Sequence, residues 1–277
     1  MTEHLSWLQA IVLGVSQGLT EFLPISSSAH TLILSRLFGW PDPGAAFTAV
    51  TQIGTEAAVL LYFRKDIVAI ISIWLRSFRQ TELRSEPEAK MAWYVIVGTL
   101  PIAVLGLVFK DQIETSARNL IVVAVALIVM GLVLGYADVN ATHTKDESQL
   151  SWKSAFIFGM GQALALIPGV SRSGATITFG LFMGFKREVA LRYSFLLAIP
   201  AVLASALLES KNISGDDYAN WPATLVATLI AFIVGYGVIS MLMTYIKTNS
   251  FKIFVQYRIV LGVLLLILVN SGFLTAT

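Results

Sequence analysis

Apolar residues fall in long blocks along this chain, separated by short polar stretches. Six blocks, 45–63, 91–109, 118–136, 188–209, 222–246 and 257–275, have the length and character of transmembrane helices, since a bilayer core needs roughly 20 apolar residues. Pro101 and Pro200 fall inside two of them, which membrane helices tolerate when neighbours satisfy the freed carbonyl. The segments 5–40 and 150–186 differ: each is a pair of short apolar pieces split by a polar turn carrying proline. Neither piece is long enough to cross comfortably, so each pair predicts a re-entrant hairpin. Segment 66–79 is short and flanked by Arg64, Lys65, Arg76 and Arg79, which predicts a helix lying in the interface.

The two hairpins are copies. A shift of 145 residues, without a gap, matches Leu5-Ser6-Trp7 to Leu150-Ser151-Trp152, Ala10 to Ala155, Gly14 to Gly159, Gln17 to Gln162 and Leu19 to Leu164. It continues through Ser26/Ser171, Ser28/Ser173, Thr31/Thr176 and Gly39/Gly184, giving 11 identities in 35 positions. Three spans separate the copies, and an odd number of crossings places the second hairpin on the opposite face. The expected fold class is therefore an all-α polytopic membrane protein, a single membrane domain over 1–277 built as an inverted-topology repeat. Repeat 1 covers about 5–136 and repeat 2 about 150–275, each a re-entrant helical hairpin plus three transmembrane helices.

Charge follows the same plan. One face receives Arg64, Lys65, Arg76, Arg79, Arg84, Lys90, Lys145, Lys153, Lys186, Arg187, Lys247 and Lys252; the other receives Lys110, Arg118 and Lys211. The positive-inside rule makes the first face cytoplasmic and puts both termini and the first hairpin's mouth outside. Trp7, Trp40, Trp93, Trp152 and Trp221 lie near segment ends, as an aromatic belt requires. With 56% hydrophobic residues, 13% charged and a mean hydropathy of +0.75, the composition is far from that of a soluble domain, which is about 25% charged. A net charge of +2 with scattered positives gives no basis for nucleic-acid binding. The lack of cysteine excludes disulfides, thiolate catalysis and Cys-ligated metals. The Met1–His4 segment lacks the basic start of a cleavable signal peptide, so the first apolar segment is expected in the mature protein.

Chemistry concentrates at the two breaks. The first runs Gln17-Gly-Leu-Thr-Glu21-Phe-Leu-Pro24-Ile-Ser26-Ser27-Ser28-Ala-His30. Gln17 and Glu21, four apart, share a helix face; Pro24 ends that helix, and the serines are placed to cap the next. A helix N-terminus attracts anions, and His30 lies one turn into it. The second break, Pro168-Gly-Val-Ser171-Arg172-Ser173-Gly-Ala-Thr176, repeats the arrangement with an arginine and three hydroxyls. Arg172 sits deep in an apolar hairpin, where an unpaired charge costs a few kcal/mol or more. It needs either an acidic partner, for which Glu21 is available, or an anion such as phosphate, which it can bind in bidentate fashion. Glu56 and Arg192 also lie within spans, placed to pair, to share a cavity or to snorkel, whereas Glu209, Asp216 and Asp217 read as loop charges.

At these residues the chain resembles the bacterial undecaprenyl-diphosphate phosphatase family, also called the bacitracin-resistance family. The (Glu/Gln)-x-x-x-Glu motif is Gln17 to Glu21, running on to His30, and the Pro-Gly-x-Ser-Arg-Ser-x-x-Thr motif is Pro168 to Thr176. Gln17 is the permitted alternative to glutamate and removes one carboxylate from any two-carboxylate metal site. The resemblance implies hydrolysis of undecaprenyl diphosphate to undecaprenyl phosphate and inorganic phosphate, recycling the lipid carrier of cell-wall synthesis and conferring bacitracin tolerance. It also implies a divalent cation, magnesium or calcium, and a site facing the outer side of the bacterial plasma membrane. Membrane lipids are the expected surroundings, and a homodimer is left open.

On that basis Arg172, Ser171, Ser173, Thr176 and Ser26 are expected to hold the phosphates. Ser27 is the expected nucleophile with His30 as its base; attack by water is the alternative, with Glu21 as base. Glu21 and Gln17 are the expected metal ligands. A lipid transporter or flippase is the competing class, because inverted repeats with broken helices are typical of secondary transporters. The acid-phosphatase-like membrane enzymes lack support, since no Pro-Ser-Gly-His stretch occurs.

Overall fold

The computed structural model describes residues 4–109, 119–210 and 220–276. Lys110, Arg118, Lys211, Asp216 and Asp217, which entered the charge and loop assignments above, lie outside them. Among the described residues the chain forms eleven α-helices and no strand, with one isolated β-bridge between Lys145 and Phe185. In chain order these are α1 (Trp7–Thr20), α2 (Ser27–Phe38), α3 (Gly44–Tyr62), α4 (Arg64–Ser77), α5 (Pro87–Val108), α6 (Leu120–Asn140), α7 (Trp152–Ala163), α8 (Arg172–Phe182), α9 (Arg187–Glu209), α10 (Trp221–Tyr245) and α11 (Lys252–Asn270).

Six of these, α3, α5, α6, α9, α10 and α11, are long and apolar enough to cross a membrane, which makes this a multi-pass membrane protein. Their ends differ from the hydropathy reading in two informative places. α11 starts at Lys252 rather than at 257: its first turn opens on the exposed Lys252, and the helix then carries Arg258 inward, 0% exposed and bonded to carbonyl oxygens. α6 extends to Asn140 because Asp138 is also buried, pairing with Arg187 at 2.6 Å and accepting the Phe251 N–H at 2.9 Å. The remaining helices, α1, α2, α4, α7 and α8, have 14, 12, 14, 12 and 11 residues. α4 exposes Val68, Ile71 and Leu75 between its basic ends.

Local sequence sets the short helices. Ser6 caps α1 while Gln9 reaches back to the Ser6 N–H, and Ser151 with Ser154 does the same for α7, each satisfying two otherwise orphaned donors. α2 stops at Gly39, left-handed at φ +63°, where a Cβ would be strained.

α1 packs on α10, and α7 packs on α5, both backbone to backbone. A Cβ at Gly14 would sit 2.6 Å from the Ala227 carbonyl oxygen, and one at Gly159 would sit 2.2 Å from that of Gly98. Without side chains at those two points the helices approach closely enough for dispersion to hold them in an apolar solvent. The largest core cluster lies between them around Phe22, Phe158, Tyr193 and Phe195, with Phe22 edge-on to Phe195 at 5.3 Å. Arg192 pairs with Asp66, at 2.8 Å, and with Glu147. It thereby ties α9 to α4 and to the α6–α7 connection; Glu56, the other charge noted within a span, instead faces Arg172.

Candidate active site

Each of the two breaks ends in a serine forced into an unusual backbone conformation. Ser26 and Ser171 have φ of +74° and +71°, a region that non-glycine residues seldom adopt. Each then caps the helix that follows: Ser26 Oγ accepts from the Ala29 N–H at 3.4 Å, and Ser171 Oγ from the Gly174 N–H at 3.2 Å. Each hydroxyl also lies 3.2 Å from a second serine hydroxyl, Ser28 and Ser173 respectively. Strain of this kind persists only where surrounding contacts over-determine it, and it clusters at functional sites.

Those contacts come from the opposite break and from α11. Ser173 donates to the Leu23 carbonyl at 3.2 Å. Arg258 reaches both breaks at once: NH1 donates to the Pro24 carbonyl at 2.9 Å, and NH2 to the Gly169 and Val170 carbonyls at 3.0 and 2.9 Å. Its Nε and NH2 also bond the Leu127 and Ala126 carbonyls of α6, at 3.2 and 3.4 Å. A planar fork of five donors suits a ring of carbonyls that point inward from several elements. None of the ion pairs among the described residues involves Arg258.

Glu21 is the junction of the cluster and is almost fully buried. Its Oε2 accepts from the Ser27 hydroxyl at 2.6 Å and from the Gln17 amide at 2.7 Å, with the Gln52 amide at 3.5 Å. Its Oε1 accepts from Arg172 NH2 at 2.7 Å. The same guanidinium lies 3.9 Å from Glu56 Oε2. Glu56 is 0% exposed, and neither of its oxygens has a hydrogen-bond partner; Arg172 NH1 is likewise buried and unpartnered. One cation thus stands against two carboxylates, with a donor left over for an incoming acceptor.

The other residues singled out by sequence occupy distinct stations. Ser27 and Arg172 are half-buried, at the accessible edge of the cluster. His30 is not hydrogen-bonded to Ser27: its Nδ1 lies 2.7 Å from the Ser26 carbonyl and its Nε2 2.7 Å from the Tyr257 hydroxyl. Thr176 is buried and donates back to the Arg172 carbonyl at 2.8 Å, a bond within α8. Arg258, Tyr257, Gln52 and the closeness of Glu56 to Arg172 were not foreseen. For Arg258 the signal was present in the sequence, because a lone arginine in an apolar run demands buried partners as Arg172 does.

The donor set fits a divalent cation held chiefly by substrate oxygens. Magnesium usually binds one or two protein carboxylates plus phosphates; Glu21 supplies one carboxylate beside Arg172, and Gln17, whose amide N–H faces Glu21 Oε2, would offer its amide oxygen only after the amide turns over. No group of three or more His, Cys, Asp or Glu that would make an all-protein cage exists among the described residues.

A family model described as bacitracin resistance protein BacA matches residues 10–264. The undecaprenyl-diphosphatase of Thermobifida fusca (strain YX) is 56% identical over 271 residues, 98% of this chain and 93% of its own length. Undecaprenyl-diphosphatase 2 of Streptomyces coelicolor is 54% identical over 283 residues, covering 98% and 97% of the two chains. The undecaprenyl-diphosphatase of Nocardioides sp. is 53% identical over 271 residues, covering 98% and 99%.

Proposed function

The chain belongs to the bacitracin resistance protein BacA family, and from that premise we propose that it hydrolyses undecaprenyl diphosphate to undecaprenyl phosphate and inorganic phosphate. The observation that carries this reading is the Glu21 carboxylate, which takes the Ser27 hydroxyl, the Gln17 amide and the Arg172 guanidinium together. A polarised hydroxyl beside a guanidinium with a spare donor is what phosphoryl transfer requires: a nucleophile, a proton acceptor and charge neutralisation.

Arg172 and the amides at the two helix N-termini hold the diphosphate. Ser26, Ser171, Ser173 and Thr176 shape those N-termini through the hydrogen bonds given above. Ser27 Oγ attacks the terminal phosphorus, the bond from that phosphorus to the bridging oxygen breaks, and undecaprenyl phosphate leaves. The serine proton passes to Glu21 Oε2, where its hydrogen bond already points. Water then attacks the phosphoserine and gives a proton to His30 Nε2, the bond from phosphorus to Ser27 Oγ breaks, Glu21 returns its proton to that oxygen, and inorganic phosphate departs. Glu21 and Gln17 would hold a divalent cation, which when bound neutralises charge on the diphosphate.

The remaining expectations extend this reading. The breaks belong to two re-entrant hairpins, 5–40 and 150–186, in an inverted repeat whose halves run over about 5–136 and 150–275. Supporting this are the matching strained serine caps and the matching approaches of Gly14 to α10 and Gly159 to α5. Supporting it also are helices of 11 to 14 residues, about 17–21 Å long at 1.5 Å per residue and so short of a bilayer core about 30 Å thick. The protein sits in the bacterial plasma membrane with the first hairpin opening outward, and a homodimer is compatible with it.

The test is chemical trapping. Purified protein mixed rapidly with labelled undecaprenyl diphosphate and quenched in acid should carry label on Ser27. Ser27→Ala should release no phosphate, and full release by that variant would overturn the assignment. Substrate movement across vesicles with no phosphate release at any metal concentration would favour the transporter class instead.

A further inference from the structure

α11 places two adjacent side chains against the site in opposite senses. Arg258 turns inward and is fully buried on the carbonyls of both breaks, whereas Tyr257 stays 44% exposed and reaches His30 from the rim. The ring nitrogens of His30 are therefore both engaged, and by partners of different kind. Nδ1 faces the Ser26 carbonyl at 2.7 Å, and a carbonyl only accepts. In the neutral ring the proton is therefore assigned to Nδ1 and the lone pair to Nε2. Nε2 lies 2.7 Å from the Tyr257 hydroxyl, which then donates to it. The two rings are 8° from parallel with centroids 5.6 Å apart.

We infer that Tyr257 is a positioning residue for His30: its hydroxyl fixes the ring's tautomer and orientation, so that Nε2 faces the accessible rim of the first break. This rests on the reading that His30 Nε2 takes a proton during turnover. A histidine works as a base only through its unprotonated nitrogen; the Ser26 carbonyl keeps the proton on Nδ1, and the Tyr257 hydroxyl rests on Nε2 until it gives up that place to the water whose proton is taken. The tautomer is selected from both sides, by Ser26 on the same helix and by Tyr257 across the gap between α2 and α11. The charged neighbour acting on the ring is Arg258, whose grip on five carbonyls also fixes where α11 presents the Tyr257 hydroxyl. Tyr257 itself makes no hydrogen bond to Ser27 or Arg172.

The substitution Tyr257→Phe keeps the ring and removes one hydroxyl at an exposed position, so folding is not at stake. The expected result with undecaprenyl diphosphate is a fall in kcat of about tenfold, the upper range for one neutral hydrogen bond, with KM nearly unchanged. In a His30→Ala background, Tyr257→Phe should change the residual rate no further. Nitrogen NMR of the labelled full-length protein, with the His30 signal assigned from His30→Ala, should show the Nδ1–H form in the parent and a mixture of tautomers in Tyr257→Phe. A parental kcat together with an unchanged tautomer in Tyr257→Phe would overturn the inference, and so would an equal loss in the His30→Ala background. Full activity in His30→Ala would instead remove the assigned role of His30, and this inference with it.

Discussion

Arg258→Met is the most demanding test of how the two breaks are held. The guanidinium satisfies five carbonyls, and those of Pro24, Gly169 and Val170 lie outside regular helix with no other hydrogen bond. The Leu127 and Ala126 carbonyls lie within α6 and keep their helical bonds. Methionine leaves three buried carbonyls bare, at about 1–3 kcal/mol each, a gross cost of about 3–9 kcal/mol. Removing a buried cation returns part of that, because its own desolvation was costly. The carbonyls cannot leave with it, so the net loss is expected at about 3–5 kcal/mol, the range for breaking a buried polar pair from one side. Arg258→Lys should lie close to it, since a compact ammonium does not span carbonyls converging from three segments. The assay is reversible unfolding of the purified protein in mixed micelles at graded denaturant, with phosphate release measured in parallel. A loss below about 1 kcal/mol with undiminished turnover would show that the breaks hold each other without the clamp.

Three further outcomes follow from the geometry. Arg172→Lys keeps the charge but loses the fork that serves Glu21 and an incoming phosphate together; kcat/KM for undecaprenyl diphosphate should fall at least about 100-fold, the order expected when a transition-state donor is removed, while unaltered kinetics would exclude a bidentate role. Gly159→Ala drives a methyl group into the Gly98 carbonyl; it should lower stability by about 2 kcal/mol, within the usual cost of overpacking, and a parental unfolding midpoint would mean that α7 and α5 separate easily. Chelation should reduce phosphate release, with recovery on adding magnesium or calcium, and activity indifferent to both would remove the cation from the Glu21–Gln17 site.

Much of the fold was legible because the bilayer imposes a coarse rule on sequence. The six long apolar helices all fall where hydropathy places them, and both breaks stand out as serine and proline in apolar surroundings. The pairing of Arg172 with Glu21 was legible for the same reason, since an isolated charge at that depth must find a counterpart. Hydropathy does not record what side chains do at the end of a span. Tyr257 and Arg258 sit where an apolar run begins and read as its polar edge, although the helix turns Arg258 inward onto both breaks and leaves Tyr257 at the rim. The hydrogen bond from Ser27 to Glu21 rather than to His30 was also beyond reach. The choice depends on the φ of Ser26, which turns α2 so that Ser27 faces back toward α1 while His30 faces α11. The Ser–Glu spacing alone does not determine a backbone angle.

The close packing of α1 on α10 has a consequence for how the protein is made. α1 ends at Thr20, but the groove that receives it belongs to a helix starting at Trp221, roughly 200 residues later in synthesis. At 5–20 residues per second the first hairpin waits on the order of 10–40 s before Gly14 meets Ala227. α7 has no such delay, because α5 precedes it and is ready when Gly159 emerges. The nascent protein is thus asymmetric in time: α7 meets its packing partner early while α1 waits for α10, and neither polar break is complete until Arg258 of α11 has emerged. Mutations that weaken the α1–α10 seam should therefore reduce the yield of inserted protein more than they reduce the activity of the molecules that complete assembly.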